Sequence, residues 1–441
     1  MNYYNINNRQ EVVGFEEAVV KGQAADGGLY FPSQIPQWHK EFIEVLPKLN
    51  RLDIAAYILK PYVGEFISEK ELHNLLTDVL SFDFPLKQIN DNIYALELFH
   101  GPTLAFKDLG ARFLSRILQH IDKKQLPEKK RVVLVATSGD TGGAVADAFF
   151  NMEHTTVIIL YPSGKVSPIQ EKQLTTYGVN IHALEIQGDF DDCQRLVKQA
   201  FRDSALQKQY NLISSNSINI ARWIVQQIYY AVALSQWKEV QPPVISVPSG
   251  NFGNLCAGLL AAASGLPSQH FIAACNNNSV FTDYINTGNY EPQPAVATLS
   301  NAMDVGHPSN AVRLFELYQN NYLLLKTQIS SYSISDVNTK NTIIEVYAKH
   351  NYLLDPHTAV GYAALEQHLS NHKDQKGVIL ATAHPFKFLE TVEDAIKAKI
   401  ELPIKLQDLL ELEKKSIILA PDYESFVSKL MLLCKKNTSF C

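Results

Sequence analysis

Cysteine is scarce in this chain. Five occur in 441 residues (Cys193, Cys256, Cys275, Cys434 and Cys441), an odd number with no CxxC pair. A disulfide framework or a thiolate zinc site is not expected, and a reducing cytoplasm suits the thiols. Long hydrophobic runs are also missing. The longest, LCAGLLAAASGL from Leu255, falls short of the ~20 apolar residues that span a bilayer. The first residues, MNYYNINNRQ, lack the basic start and apolar run of a secretory signal. Positive charge is not in excess, since the formal net charge is −6. A general nucleic-acid binder needs a basic field, so that class is excluded. Cytoplasmic location is therefore expected, with no membrane and no nucleic-acid partner.

Several chemical signatures are missing too. GxxxxGK[ST] does not occur; the nearest candidate, Gly164-Lys165, has Ile159 where the first glycine belongs and Val166 after the lysine. Dinucleotide GxGxxG and hydrolase GxSxG are absent. His100, His307, His357 and His384 fall near loops with no HExxH or comparable spacing, so no metal site is read.

What is present is a chain rich enough in apolar residues to bury a large core, with 46% hydrophobic and 19% charged residues. Its length implies two or three units. FEEAVVKG reads as a short helix closed by Gly22, and DGGLYFP as a turn entering a strand. LDIAAYILKPYVG and EKELHNLLTDVLSF have helical spacing. From residue 131 the rhythm changes. RVVLVA, TTVIILYP, IHALEI, NLISS, VISV, HFIAAC and GVILA are short apolar runs separated by helical patterns. That alternation predicts parallel βαβ units, with sheets covered on both faces. INIARWIVQQIYYAVALSQW reads as one long helix over 218–237. Glu291 to Asn310 is a long irregular stretch of a kind often used for function. The segment from about 400 reads as helix, strand, helix.

The chemistry follows the strands, because ligands of open α/β sheets sit at the strands' carboxyl ends. In FHGPTLAFKDLG (Phe99 to Gly110), Lys107 ends an apolar run. A surface lysine at a helix start explains it blandly. A buried one would lose proton affinity, and a neutral amine can attack a carbonyl to form a Schiff base. PSGNFGN (Pro248 to Asn254) follows VISV, and glycines between strand and helix can aim N–H groups at a phosphate. TSGDTGG (Thr137 to Gly143) follows RVVLVA and could hold a carboxylate; one residue of it could merely cap the helix. Thr382 ends GVILA and brings a hydroxyl. An amine, a phosphate nest, a carboxylate-sized loop and a hydroxyl together suit pyridoxal phosphate.

The stretches HGPTLAFKDLG, TSGDTGGA, NSINIARW, PSGNFGN, ATLSNAMDVGHPSN and TAHPFKF occur in that order, with DGGLYFP ahead of them. By these the chain resembles the threonine synthase family, in its long bacterial and fungal branch. The resemblance implies a pyridoxal-phosphate enzyme of fold type II, an α/β fold of parallel sheets covered by helices. Residues 1–90 would form an N-terminal α+β cap, 91–399 the catalytic domain and 400–441 a C-terminal appendage. About 135–235 would be a smaller lobe closing on substrate. Lys107 would be the catalytic residue and hold the cofactor as a Schiff base, with Phe106 and Asp108 shaping its surroundings. Ser249, Gly250, Asn251, Phe252, Gly253 and Asn254 would hold the cofactor phosphate, and Thr382 its ring nitrogen. Ser138, Gly139, Asp140 and Thr141 would grip the substrate carboxylate through amides and hydroxyls, because the Asp140 charge itself would repel it. The implied small-molecule substrate is O-phospho-L-homoserine, its phosphate met by Lys165, Asn216, Ser217, Asn219 and Arg222, with Lys387 a weaker candidate. The implied reaction is loss of phosphate from Cγ and addition of water at Cβ, the last step of threonine biosynthesis, in a monomer or homodimer. A phospho-lyase giving a 2-oxo acid, and a silent relative that binds a phosphorylated ligand, are the alternatives.

Overall fold

The computed structural model describes residues 1–436. Cys441 lies outside the described residues, and the other four cysteines are buried and free.

Two sheets organise the chain. The larger has six strands in the order Ile329–Ser333, His270–Cys275, Val244–Pro248, Gly377–Ala381, Ile93–Glu97 and Leu86–Gln88. All neighbours are parallel except the last pair, an antiparallel hairpin. The smaller has five parallel strands: Ser416–Leu419, Ile181–Ile186, Thr155–Pro162, Arg131–Ala136 and Asn211–Ser214. RVVLVA and TTVIILYP are buried along their whole length. Helices cover both faces of a parallel sheet, so its strands keep apolar residues at successive positions. A third, antiparallel sheet joins Val12–Gly14, Asn2–Asn5 and Tyr30–Pro32 in the N-terminal cap.

The C-terminal segment is less separate than its reading as an appendage implies. It does form helix, strand and helix (Ile404–Glu411, Ser416–Leu419, Tyr423–Lys436). Its strand, however, pairs in parallel with Ile181–Ile186 and completes the small sheet. Phe426, Leu430 and Leu433 then join Cys193 and Leu196 in one apolar cluster.

The single long helix expected over 218–237 is two helices, Ile220–Ile224 and Gln227–Gln236. Backbone bonds tighten at the junction, where the amides of Gln226, Ile228 and Tyr229 donate to Trp223, Val225 and Gln226, each three residues back. Such 3₁₀ spacing re-aims side chains without interrupting the apolar pattern. Here it turns Gln226 toward the cleft between the sheets.

Candidate active site

The carboxyl ends of both sheets face one cleft. The lysine side is built from the chain path before the helix Lys107–Lys124. Leu104 takes a left-handed φ of 59°, a costly conformation for a non-glycine residue. The turn brings Ala105 into a bridge with Ala383. Phe106 N–H then donates to the Thr382 carbonyl at 2.8 Å, and the Tyr229 hydroxyl donates to the Phe106 carbonyl. These bonds set Lys107 beside Thr382, and both line the cleft.

Lys107 is largely enclosed, with its Nζ 3.9 Å from Asp140 Oδ2. Burial lowers its proton affinity, Asp140 partly restores it, and the positive Lys387 and Arg222 lower it further. The net direction is toward the neutral amine that attacks carbonyls. Asp140 is buried as well. Burial alone would raise its pKa, but Lys387, Lys107, His357 and the Gln170 amide hold it below the carboxylate range. Gln170 is placed by its own helix. Ser167 caps Pro168–Thr175 in a capping box with Gln170, whose Nε2 donates to Asp140 Oδ1 at 2.8 Å.

Opposite lies the loop before the helix Gly253–Ala263. Phe252 caps that helix at φ 61°. A Cβ on Gly250 would come within 2.9 Å of the Ala302 carbonyl and of Met303 Cα. The loop is thus pressed against Asn301–Val305, which also lines the cleft. Asn310 ties it to the small lobe, donating to the Asn251 carbonyl at 2.9 Å and to Ser217 Oγ at 3.1 Å.

Of the residues singled out from sequence, Lys107, Ser138, Asp140, Thr141, Asn216, Ser217, Arg222, Gly250, Asn251, Phe252, Gly253, Asn254 and Thr382 share this cleft. Six others do not line it. Asp108 is buried and bonded to Thr103. Lys165 is exposed. Asn219 caps Ile220–Ile224 and donates to the Val19 and Ser214 carbonyls. Ser249 Oγ donates to the Val247 carbonyl at 2.7 Å. Gly139 packs against the Gln170 side chain, and Lys387 is spent on protein partners. The cleft also holds Gln226, Asn301, Asp304 and His357. The Glu291–Asn310 stretch stands out by its length, but no spacing singles out these side chains.

The cleft is built for a polar guest. Asn216 Oδ1, Arg222 Nε, Gln226 Oε1, Asn254 Nδ2 and Asn301 Oδ1 are buried without a protein partner, and all five residues line it. Buried polar atoms left unpaired are costly, so their concentration marks where a ligand supplies the partners.

Comparison with known proteins agrees. The pyridoxal-phosphate dependent enzyme family matches residues 71–383. Threonine synthase N-terminal and C-terminal families match 2–79 and 358–428. The Haemophilus influenzae threonine synthase is 44% identical, across 91% of this chain and 93% of that protein. The Escherichia coli one is 41% identical, across 98% and 99%. The chain belongs to the threonine synthase family.

Threonine synthases are pyridoxal-phosphate-dependent lyases of amino-acid biosynthesis, and this chain has their fold, type II. The crystal structure of the E. coli threonine synthase superposes with a TM-score of 0.92 at 40% identity, covering 98% of this chain and 100% of that one. The pyridoxal-phosphate-bound threonine synthase of Brucella melitensis gives 0.90 at 34%, covering 98% and 99%. The cofactor of this chain is pyridoxal phosphate, and the residues present fit it. They offer an enclosed amine, a glycine loop at a helix N-terminus and unpartnered polar groups between them. Among the described residues no cluster of His, Cys, Asp or Glu could hold a metal, and no helix is long and apolar enough to cross a membrane.

Proposed function

We propose that the chain converts O-phospho-L-homoserine and water into L-threonine and phosphate, with Lys107 binding the cofactor and moving the protons. The observation that carries this reading is the enclosed Lys107 amine in one cleft with the Gly250–Asn254 loop and the unpartnered Asn216 and Arg222 atoms. That arrangement suits a ligand pair with two phosphates. When bound, pyridoxal phosphate supplies an aldehyde for covalent capture of an amine and an electron sink for charge developing on substrate carbon.

The chain's own residues do the rest. The loop Gly250–Asn254 and the dipole of its helix hold one phosphate. Thr382 offers the ring nitrogen a neutral hydroxyl, which does not force its protonation. Ser138 and Thr141 offer hydroxyls, and their loop amides, to the substrate carboxylate. Asp140 is occupied with lysines and Gln170, so its charge is directed away from that role. Arg222 is buried, and burial lowers its pKa only to about 10, so it stays charged for the substrate phosphate. Lys107 takes the proton from substrate Cα and then from Cβ, the Cγ–O bond breaks with loss of phosphate, and a proton returns to Cγ. Water oxygen then bonds Cβ as its O–H proton passes to the released phosphate, and Lys107 returns a proton to Cα. Closure of the lobe near 135–235 over the substrate would exclude stray water before that step. All four described cysteines are free, in keeping with a reducing cytoplasm.

Product analysis by NMR after adding O-phospho-L-homoserine to cofactor-loaded protein tests the reading. Threonine with equimolar phosphate is expected. Phosphate with 2-oxobutyrate and no threonine would move the chain to the lyase alternative. Lys107→Ala is expected to abolish turnover.

A further inference from the structure

Lys387 lies in the short turn Pro385–Phe388, just past Thr382. Its side chain is 0% exposed, which is rare for lysine unless every donor is satisfied. Nζ lies 2.9 Å from Asp140 Oδ1 and donates to the Thr103 carbonyl at 2.7 Å and to Gln173 Oε1 at 2.8 Å. Two acceptors thus take hydrogens of the ammonium, and the Asp140 carboxylate pairs with its charge. Lys387 is therefore not free for a substrate phosphate, and the chemistry described so far gives it no task.

Its partners supply one. Lys387 and Thr103 belong to the part of the chain built on the large sheet, and Asp140 and Gln173 to the small lobe. Asp140 turns one oxygen to Lys387 and the other to Lys107, at 2.9 and 3.9 Å. One carboxylate thus serves two lysine side chains across the lobe boundary. The charged or titratable groups facing this trio are Arg222, toward Lys107, His357, toward Asp140, and Asp108, toward Lys387. We propose that Lys387 is a positioning residue that sets the proton affinity of Lys107 by holding and sharing the Asp140 carboxylate.

The sign follows from the charges. Lys387 draws Asp140 toward itself and adds a like charge near Lys107. Both effects disfavour a proton on the Lys107 nitrogen. Removing Lys387 leaves Lys107 as the one lysine paired with Asp140, and proton affinity there rises. Removing the Asp140 charge leaves two cations together, and it falls.

The test is a pH titration of holoenzyme, following the absorbance of the lysine-bound cofactor. Lys387→Met is expected to raise the midpoint by about one pH unit, and Asp140→Asn to lower it by a similar amount. Thermal unfolding is recorded alongside, because a merely structural lysine would lower Tm without moving the midpoint. A Lys387→Met midpoint that is unchanged or lower overturns the proposal, whatever happens to Tm. Where Lys387→Met does not fold, Lys387→Gln keeps hydrogen-bond donors without the charge and is judged by the same shift. The proposal rests on Lys107 being the cofactor lysine. Lys107→Ala must lose the titrating band; if the band persists, the site assignment fails and not the relation between Lys387 and Asp140.

Discussion

The backbone amide of Ala302 donates to Nε2 of His357 at 3.1 Å, while Nδ1 of the same ring faces Asp355 Oδ2 at 2.7 Å. An accepting Nε2 assigns the proton to Nδ1, which donates to the carboxylate. Asp355 in turn caps the helix Pro356–Asn371. One imidazole thus fastens a helix start to the loop that backs the glycine cradle. His357→Leu leaves the Ala302 amide unpaired and takes one hydrogen bond from Asp355, at a cost of about 1–3 kcal/mol. Thermal unfolding should show that loss, and dialysed protein should retain less cofactor absorbance. Full retention of both would remove His357 from the site's support.

Gly250 offers a local test of the cradle. Gly250→Ala places a methyl 2.9 Å from the Ala302 carbonyl and from Met303 Cα, backbone that must shift. Weaker cofactor retention is expected, measured by equilibrium dialysis. Gly14→Ala is the control, since a Cβ there meets nothing within 4 Å.

Asp108, next to Lys107, gives a pH dependence with a defined sign. Burial pushes its carboxyl up to about 6, against hydrogen bonds from the Thr103 amide and hydroxyl. A folded pKa above the unfolded value of about 3.9 means the folded state binds more protons between the two. Its contribution to stability is therefore greatest at low pH and is lost as pH rises toward 6. The difference in Tm between Asp108→Asn and wild type should grow in favour of the variant from about pH 4 to 6 and then level. A difference that is flat or falls over that range would contradict the burial argument.

Arg313 is fully enclosed and donates to the carbonyls of Tyr30 (3.1 Å), Ile218 (2.7 Å) and Ser217 (3.3 Å) and to Asn310 Oδ1 (2.8 Å). Its guanidinium lies 4.4 Å from the Trp223 ring centroid. It thereby joins the N-terminal cap, the small lobe and the cradle. Arg313→Met strands several acceptors and should cost at least ~3 kcal/mol in denaturant unfolding. Arg313→Lys should recover only part, because a point charge cannot match the fork of donors.

Local patterns revealed what local physics decides. The small-sheet strands were legible because burial on both faces writes itself as unbroken apolar runs. Lys107, Thr382 and the Gly250–Asn254 loop were legible because each directly follows or precedes a pattern change. Ile93–Glu97 was not, since it is short and pairs with residues some 280 positions away. The break at Gln226 left no trace because 3₁₀ spacing preserves the apolar sequence. His357 and Lys387 act through partners distant in the chain, and periodicity carries no information about such pairings. Arg222 lines the cleft, and only the family stretch NSINIARW points to it in the sequence, because the pattern of its helix does not.

The strand Ser416–Leu419 closes the small sheet's edge along Ile181–Ile186, and this has a consequence during synthesis. At about 5–20 residues per second, roughly 10–50 s separate the emergence of those two strands from the ribosome. Through that interval the nascent small lobe presents an unpaired parallel edge, the kind of surface that recruits other chains. Slow translation late in the message would lengthen the exposure. A release of the chain short of residue 416 would make it permanent.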